Sequence, residues 1–242
     1  MNSVLEALRA NPDTIERIYL QQGALNPRLA GELLSRAGEN RVRIDRVEKP
    51  RLDSLAGPKH QGVVAEVHKF EYTEPADIVQ AAKASGRAPL IVVLDGIQDP
   101  QNLGAIIRSA HAFGAHGVIV PKDRAAAITS VASKASAGAV SHTPIARVVN
   151  LARTLTELKE AGLWIVGAEM SGDREPAQID FKGPIALVIG AEGSGIRQLV
   201  KEHCDFLARI PMLGNVASLN ASVSAGVLLY ETVRQRAGVQ SS

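Results

Sequence analysis

The chain has 242 residues, of which 45% are hydrophobic and 21% charged, and its formal net charge is +2. These values are typical of a folded protein of one or two domains and argue against a disordered chain. Only 3% of the residues are aromatic, so a nucleic-acid-binding surface built on stacked aromatic side chains is not expected.

Cysteine content and hydropathy restrict the chemistry and the location further. Cys204 is the only cysteine, which excludes an intrachain disulfide and a zinc site made of several cysteines. The N-terminus lacks the pattern of a signal peptide, and no apolar run approaches the ~18 residues that span a membrane. The sequence therefore predicts a cytoplasmic protein without a metal or a membrane partner.

Residues 1–70 alternate between helix-like and strand-like patterns and predict a small α/β domain. The first helix is predicted to have Ser3 as its N-cap, with Glu6 completing a capping box. A second helix is predicted to end before Gly38. The predicted helices span 3–10 and 28–38, and the predicted strands span 15–20, 42–47 and 62–67.

Basic residues cluster around the second predicted strand. They are interrupted by Asp45 and Glu48, so they are consistent with an ordinary solvated face. They are equally consistent with a patch that contacts RNA phosphates, and both interpretations stay open at this point. The members of the cluster are Arg41, Arg43, Arg46, Lys49 and Arg51.

A linker at 71–88, with a helix from about Pro75 to Ser85, is predicted to lead into a second domain at 89–242. From Leu90 onward, short apolar runs alternate with helical patterns, which is typical of a parallel sheet covered by helices on both faces. Ligands of such sheets bind beyond the carboxyl ends of the strands. The predicted strands are 90–94, 117–120, 163–168, 185–190 and 206–210; the predicted helices are 102–114, 124–138, 151–161 and a last helix running to Arg236.

Unusual polar residues follow the first strand of this domain. Asn102 fits the N-cap of the next helix. Gly104 and Arg108 would share one face of that helix, away from its leucine and isoleucine stripe. Gly104 is predicted to let a ligand approach the backbone beside the guanidinium. Arg108 is either a surface arginine or a group that recognises phosphate or hydroxyl in a bidentate manner.

A glycine-rich loop, GAEGSG, follows the strand at 185–190. Glycines at such a position let a ligand approach the backbone closely. The order of the glycines is not that of a dinucleotide-binding or phosphate-binding loop, and Glu192 would repel phosphates. By itself the loop is a weak indication of a ligand site.

The stretch Ile210–Gly226 follows the last predicted strand, which ends at Pro211. Small polar residues crowd here, before the last helix. Any one of them could cap that helix. Together they predict one wall of a site for a small polar molecule. These residues are Asn215, Ser218, Asn220 and Ser222.

Taken together, the segments NLGAIIR (102–108), IGAEGSG (189–195) and IPMLGNVASLNASVSAG (210–226) resemble the three signature motifs of the SpoU/TrmH group of SPOUT RNA methyltransferases. They occur in the order of that family, and the resemblance spans about residues 90–237. The N-terminal segment ending in HQGVVAEV (60–67) resembles the ribosomal-protein-like RNA-binding domain of the 23S rRNA ribose methyltransferases in this group.

The resemblance implies an α/β fold in which a small RNA-binding domain precedes a knotted methyltransferase domain with a parallel sheet. The knot would be a deep trefoil, and the protein would be an obligate homodimer. It also implies the activity: transfer of a methyl group from S-adenosylmethionine to the ribose 2′-hydroxyl of a guanosine in 23S rRNA.

The family's functional positions fall on particular residues of this chain. The catalytic positions correspond to Asn102, Arg108, Glu192, Ser218 and Asn220, and the cofactor positions to Ala168, Gly190, Ile210, Met212 and Leu219.

The chemistry requires a weak nucleophile, a neutral hydroxyl, to lose its proton near the transition state. A guanidinium is a poor base, because its pKa exceeds ~12. We therefore expect Arg108 to stabilise the developing alkoxide and to grip the adjacent phosphate, while Glu192 and Asn220 align the groups. Family precedent implies that the arginine acts across the dimer interface.

Three other functions are weighed against this one. The nearest is ribose methylation of a tRNA. A protein of another class would bind RNA through residues 1–70, support ribosome assembly and catalyse nothing. The last alternative is a nucleotide-dependent oxidoreductase built on the loop at 190–195. Comparing the binding of S-adenosylmethionine with that of NAD would distinguish it from a methyltransferase.

Overall fold

The computed structural model describes residues 2–10, 12, 15–23, 27–67, 70–216 and 218–237. The chain divides into two compact units, residues 1–70 and residues 71–242. Among the described residues, no helix is long and apolar enough to cross a membrane.

The first unit is a three-stranded sheet with helices packed on it. Its strand order is β2-β1-β3, with β1 parallel to β2 and antiparallel to β3. The core combines leucines of the first two helices with apolar residues of the central strand, among them Leu8, Leu33 and Ile18. The elements are α1 (Asn2–Ala10), β1 (Ile15–Gln21), α2 (Pro27–Glu39), β2 (Arg43–Val47), α3 (Lys49–Ala56) and β3 (Val63–Val67).

Three details of the first unit differ from the sequence predictions. Ser3 lies inside α1, so it is not the N-cap. Gly38 lies inside α2, and Arg41 takes the left-handed conformation after the helix, with φ of 56°. The backbone N–H of Val42 closes this end by donating to the Ala37 carbonyl at 2.8 Å. The helix α3 was not predicted, because its apolar residues are too few to give a clear stripe.

The second unit contains a six-stranded sheet in the order β6-β5-β4-β8-β7-β9, and every neighbouring pair is parallel. The predicted α/β class with a parallel sheet is thereby confirmed. Its elements are α4 (Pro75–Ala84), β4 (Leu90–Asp95), α5 (Pro100–Ala112), β5 (Gly117–Pro121), α6 (Ser130–Ala135), β6 (Ile145–Val148), α7 (Leu151–Glu160), β7 (Trp164–Ala168), β8 (Ile185–Gly190), α8 (Gln198–Lys201), β9 (Phe206–Ala208) and α9 (Ala221–Ala237).

The central strands of this sheet are buried on both faces. Every residue of β4 and of β8 is buried, as expected for strands covered by helices on both faces. One face carries a core shared with α4, α7 and α8. On the other face α9 packs against β8 and α5, and α5 buries its predicted apolar stripe of Leu103, Ile106, Ile107 and Ala110.

In the second unit, the helix predicted from about Pro75 to Ser85 is found as α4, and its Ile78 belongs to the core, so the segment 71–88 packs as part of this unit. Other parts of the unit differ from the sequence predictions. The helix predicted at 124–138 is reduced to Ser130–Ala135, since Arg124 and Ala137 have φ values of 57° and 49° that an α-helix does not allow. The short strand β6 was not predicted.

Candidate active site

An open cavity lies beyond the carboxyl ends of β7, β8 and β9, where a parallel sheet places its ligand sites. The empty space in and in front of it, open solvent included, is about 780 Å³. All five residues predicted to bind a cofactor line it: Ala168, Gly190, Ile210, Met212 and Leu219. Two residues predicted to be catalytic, Glu192 and Ser218, line it as well.

The glycine-rich loop after β8 closes on itself. Ala191 and Gly195 exchange backbone hydrogen bonds, at 3.1 Å from the Ala191 N–H and 2.9 Å from the Gly195 N–H. A Cβ added to Gly190 would lie 2.2 Å from the carbonyl carbon of Gly195. On the side where a side chain would lie, this glycine therefore permits the close approach of its own loop, while Gly190 still lines the cavity.

Asn220 connects the three segments that resemble the family motifs. Its Nδ2 donates to Asn102 Oδ1 at 2.9 Å and to Glu192 Oε2 at 3.4 Å. Its Oδ1 accepts from the backbone N–H of Ser222 at 2.9 Å and from the Ser222 hydroxyl at 2.6 Å. Because both amide atoms have partners of the right kind, the orientation of this amide is determined. The same side chain thus caps α9 and joins the loops around the cavity.

Asn102 does not cap its helix, contrary to the sequence prediction. The N-cap of α5 is Asp99, whose side chain accepts from the backbone N–H of Gln101 at 2.9 Å, and Pro100 begins the helix. Proline suits that first position because its missing N–H would have no partner there. The amide of Asn102, released from capping, is half-buried and contacts Asn220.

Gly104 and Arg108 have different surroundings, although they share one side of α5. Gly104 is buried against α6: an added Cβ would lie 2.3 Å from the Ala132 carbonyl oxygen and 2.6 Å from Ala135 Cβ. The predicted opening for a ligand at Gly104 is therefore wrong, and helix packing explains this glycine. Arg108 is exposed, has no hydrogen bond or ion pair among the described residues, and is absent from the lining of the cavity.

An acidic residue that the sequence did not single out also lines the cavity. Glu169 follows β7 directly, and Lys201 Nζ lies 2.9 Å from its Oε2. Burial alone would raise the pKa of this carboxyl group, but hydrogen bonding to Lys201 and the lysine charge hold the pKa below its usual value. Its position after a buried strand, like that of Glu192, is the signal that could have identified it.

Cys204 takes no part in this site. Burial raises the pKa of its thiol to about 12, so the thiolate is not populated near neutral pH. Within the part of the chain that the structure describes, no group of three or more histidine, cysteine or acidic side chains could hold a metal ion.

In the first unit, the three arginines predicted to bind RNA do not form one surface. Arg43 and Arg46 lie on β2 three positions apart, so their side chains point to opposite faces of the sheet. Arg43 Nε donates to Asp45 at 3.1 Å, and Asp45 also accepts from Arg17 at 2.7 Å. Arg41 and Arg46 are exposed, and their side chains make no hydrogen bond or ion pair to any described residue.

The fold and the cavity together define an α/β protein with a small-ligand site beyond the carboxyl ends of its parallel strands. Comparison with known proteins gives its family. Residues 89–230 match the SpoU rRNA methylase family, and residues 1–73 match the family described as RNA 2′-O ribose methyltransferase substrate binding. The chain belongs to the SpoU rRNA methylase family, which confirms the resemblance of its three motifs.

Similar proteins cover nearly the whole chain. The 23S rRNA (guanosine-2′-O-)-methyltransferase RlmB of Pseudomonas putida is 44% identical over 98% of this chain and 95% of its own length. YacO of Bacillus subtilis, named for the TrmH family of tRNA/rRNA methyltransferases, is 44% identical over 97% of this chain and 94% of its own length. Among solved structures, the SpoU methyltransferase AviRb of Streptomyces viridochromogenes, in complex with AdoMet, is 30% identical with a TM-score of 0.64, over 97% of this chain and 88% of its own.

Proposed function

We propose that this protein transfers a methyl group from S-adenosylmethionine to the ribose 2′-hydroxyl of a guanosine in 23S rRNA. Support comes from the RlmB proteins of Pseudomonas putida and Coxiella burnetii, which are 44% and 42% identical to it over 98% of the chain. The AdoMet complex of AviRb supports the choice of cofactor.

The observation that carries the proposal is the composition of the cavity lining. No lysine or arginine belongs to its described lining, whereas Glu192 and Glu169 both do, and Glu169 is paired with Lys201. The carboxylate of Glu192 favours a cation and disfavours the phosphates of a dinucleotide. The remaining side chains are mostly small or apolar, as a purine and an aliphatic chain require. These residues fit S-adenosylmethionine, which carries a sulfonium and an ammonium group, and they do not fit NAD.

When bound, S-adenosylmethionine supplies an electrophilic methyl group on a good leaving group. The chain must then hold the ribose hydroxyl in line, allow its proton to pass to solvent as the bond from oxygen to the methyl carbon forms and the bond from that carbon to sulfur breaks, and stabilise the negative charge that develops on the oxygen. We assign the second task to Arg108, through two parallel N–H donors shared between that oxygen and the adjacent phosphate. Asn220, held between Asn102 and Glu192, fixes the loops that define the position of the hydroxyl.

A homodimer completes this site in our proposal, because Arg108 is outside the cavity of its own chain. The helix α9, which packs beside α5, supports the proposal. Along one side of α9, at helical spacing, lie the exposed side chains of Val223, Val227 and Tyr230, with 49%, 38% and 58% of their surfaces accessible. An apolar stripe of this kind on the outside of a helix is typical of an interface.

The substitution Val227→Glu is expected to convert the dimer to monomers, because it places a charge in the middle of that stripe. Sedimentation velocity gives the mass, and RNA methylation is expected to fall with the fraction of dimer. Val149→Glu is the matched control, since Val149 is 80% exposed at the end of β6, away from α9. A Val227→Glu variant that remained dimeric would contradict this choice of interface.

A direct assay tests the proposed activity. Purified protein is incubated with S-adenosylmethionine labelled in its methyl group, and with 23S rRNA or tRNA from a strain that lacks the gene. Mass spectrometry of nucleosides then locates the label. We expect label on the 2′-oxygen of one guanosine in 23S rRNA. Label in tRNA alone would establish the tRNA alternative, and no label in either RNA would favour a non-catalytic RNA-binding protein.

Asn220→Asp separates the two tasks of this side chain. Aspartate keeps the cap of α9, because it still accepts from Ser222, but it replaces the amide donor by a carboxylate that faces oxygens of Asn102 and Glu192. We expect kcat/KM for RNA methylation to fall by about 10²-fold with little change in Tm. Asn220→Ala, which loses the cap as well, is expected to lose about 1 kcal/mol of stability in addition. A fully active Asn220→Asp variant would show that the amide donor is dispensable.

Three further features belong to the proposal. Family membership supports the trefoil knot in the second unit, and the match of residues 1–73 to a substrate-binding family supports RNA binding by the first unit. Within the first unit we favour Arg41 and Arg46 over Arg43, because Arg43 is engaged by Asp45, a carboxylate that it shares with Arg17. An rRNA substrate would require the protein to act in the cytoplasm, and this location stays a prediction.

A further inference from the structure

A fully buried carboxylate ends the central strand β4. The side chain of Asp95 has 0% of its surface exposed. Its Oδ2 accepts from the backbone N–H of Arg197 at 2.8 Å, and its Oδ1 accepts from Arg197 Nε at 2.6 Å. A buried charge is costly unless it is paired and hydrogen-bonded, and both conditions are met here by a single residue.

Arg197 is placed where it can control the acid loop, by which we mean residues 191–197. This segment leaves β8 at Gly190, carries Glu192 and ends at Arg197, the N-cap position of α8. One end of the loop is fixed because Gly190 belongs to β8, whose register pairs it with Asp95 of β4. The other end is fixed because Arg197 donates twice to the same Asp95. A single aspartate therefore adjoins both ends of the loop.

We propose that Asp95 and Arg197 form a clamp that positions Glu192, and through it Asn220, for the bound cofactor and the ribose hydroxyl. Neither member of the clamp lines the cavity, so both are positioning residues and neither is catalytic. The proposal rests on the proposed methyl transfer and adds to it a device that keeps the loop in its working shape before any ligand binds.

The geometry points to positioning more than to general stability. A second pair in the same unit has the same chemistry: Asp205 accepts from Lys159 Nζ at 2.7 Å and from the backbone N–H of Ile165 at 2.8 Å. That pair joins α7 to the amino ends of β7 and β9. The acid loop lies at the opposite end of the sheet, where the strands have their carboxyl ends. The Asp205 side chain is less buried, with 19% of its surface exposed against 0% for Asp95, and its pair holds a different end of the sheet. It therefore controls for the loss of such a pair away from the acid loop, with the comparison made at equal loss of Tm.

The test compares Asp95→Asn and Arg197→Gln with Asp205→Asn in the full chain. Hydrogen exchange of peptides covering residues 191–197 measures the mobility of the acid loop without ligand. Calorimetry gives the Kd for S-adenosylmethionine, and steady-state kinetics give kcat and the KM of each substrate. We expect faster exchange in the acid loop, a Kd for S-adenosylmethionine raised about tenfold and a kcat lowered about tenfold or more in the first two variants. The KM for RNA is expected to change less than kcat, because the clamp is proposed to act on the acid loop and not on RNA binding.

Asp205→Asn is expected to lower Tm without changing exchange in the acid loop, the Kd or kcat. Arg197→Lys, which keeps a cation within reach of Asp95, is expected to restore most of the activity lost in Arg197→Gln. The clamp is refuted if Asp95→Asn and Arg197→Gln affect the Kd and kcat no more than Asp205→Asn does at the same loss of Tm. Should Asp95→Asn fail to fold, Arg197→Gln decides the question, since it keeps the backbone donor and replaces a half-exposed side chain.

The outcomes also separate this inference from the proposed function. A wild-type chain that bound S-adenosylmethionine but methylated no RNA would refute the proposed function. The exchange and calorimetric results would still decide whether Asp95 and Arg197 hold the acid loop. Conversely, an active enzyme with an acid loop insensitive to both substitutions would refute only the clamp.

Discussion

Arg108→Lys is expected to lower kcat for RNA methylation by about 10²–10³-fold, although lysine keeps the positive charge. Lysine is a point charge on a flexible chain, whereas a guanidinium offers two parallel donors to an oxygen and a neighbouring phosphate. Binding of S-adenosylmethionine is expected to stay unchanged, because Arg108 does not line the cavity. Single-turnover kinetics at saturating RNA measure the chemical step. Arg153→Lys, at an exposed arginine paired with Glu157, serves as the control. An Arg108→Lys variant with a rate near that of the wild type would contradict the bidentate role.

The position of Arg108 allows a second measurement that decides which subunit it serves. Arg108→Ala and Asn220→Ala are each expected to be inactive as pure dimers. If the arginine acts in the cavity of the second subunit, a mixed dimer contains one site with an intact arginine and an intact asparagine. Equal mixing should then restore on the order of a quarter of the wild-type activity. If the arginine acts in its own chain, the mixture stays inactive, and our proposal of a shared site fails.

The sequence was most informative about where the strands end. Apolar runs such as 90–94 and 185–190 identify strands that are buried on both faces. Parallel strands bring their carboxyl ends to one edge, so residues as distant in sequence as Asn102, Glu192 and Asn220 could be expected to meet. The structure does bring these three together.

Sequence reasoning failed where a residue's role depends on what packs against it. The sequence predicts space for a ligand at Gly104, but helix α6 fills that space. Gly190 does line the cavity, although the side on which a Cβ would lie packs against its own loop. The N-cap predicted at Asn102 lies three residues too late, because Pro100 takes the first position of the helix and Asp99 caps it. The opposite orientations of Arg43 and Arg46, by contrast, follow from strand periodicity and were available from the sequence.

Gly104→Ala is expected to destabilise the second unit strongly, by about 3 kcal/mol or more, against the usual gain of alanine over glycine in a helix. The added methyl group would lie 2.3 Å from a backbone carbonyl oxygen and 3.0 Å from the backbone nitrogen of Ser136, and backbone atoms cannot turn aside as a flexible side chain can. Relief requires α5 and α6 to separate, which also displaces Asn102 at the start of α5. Trp164 is the only tryptophan and lies in β7, so its fluorescence during urea unfolding reports on this unit.

The control for this prediction is Gly183→Ala in the same unit, where an added Cβ meets no atom within 4 Å. That variant is expected to unfold at the wild-type urea concentration or slightly above it, since alanine restricts the unfolded chain. If Gly104→Ala unfolded at the same urea concentration as Gly183→Ala, the close approach of α5 to α6 would not be needed for stability. That result would favour the interpretation from the sequence, in which Gly104 leaves space for a ligand beside Arg108. Loss of stability with unchanged binding of S-adenosylmethionine in the remaining folded fraction would instead assign this glycine to helix packing alone.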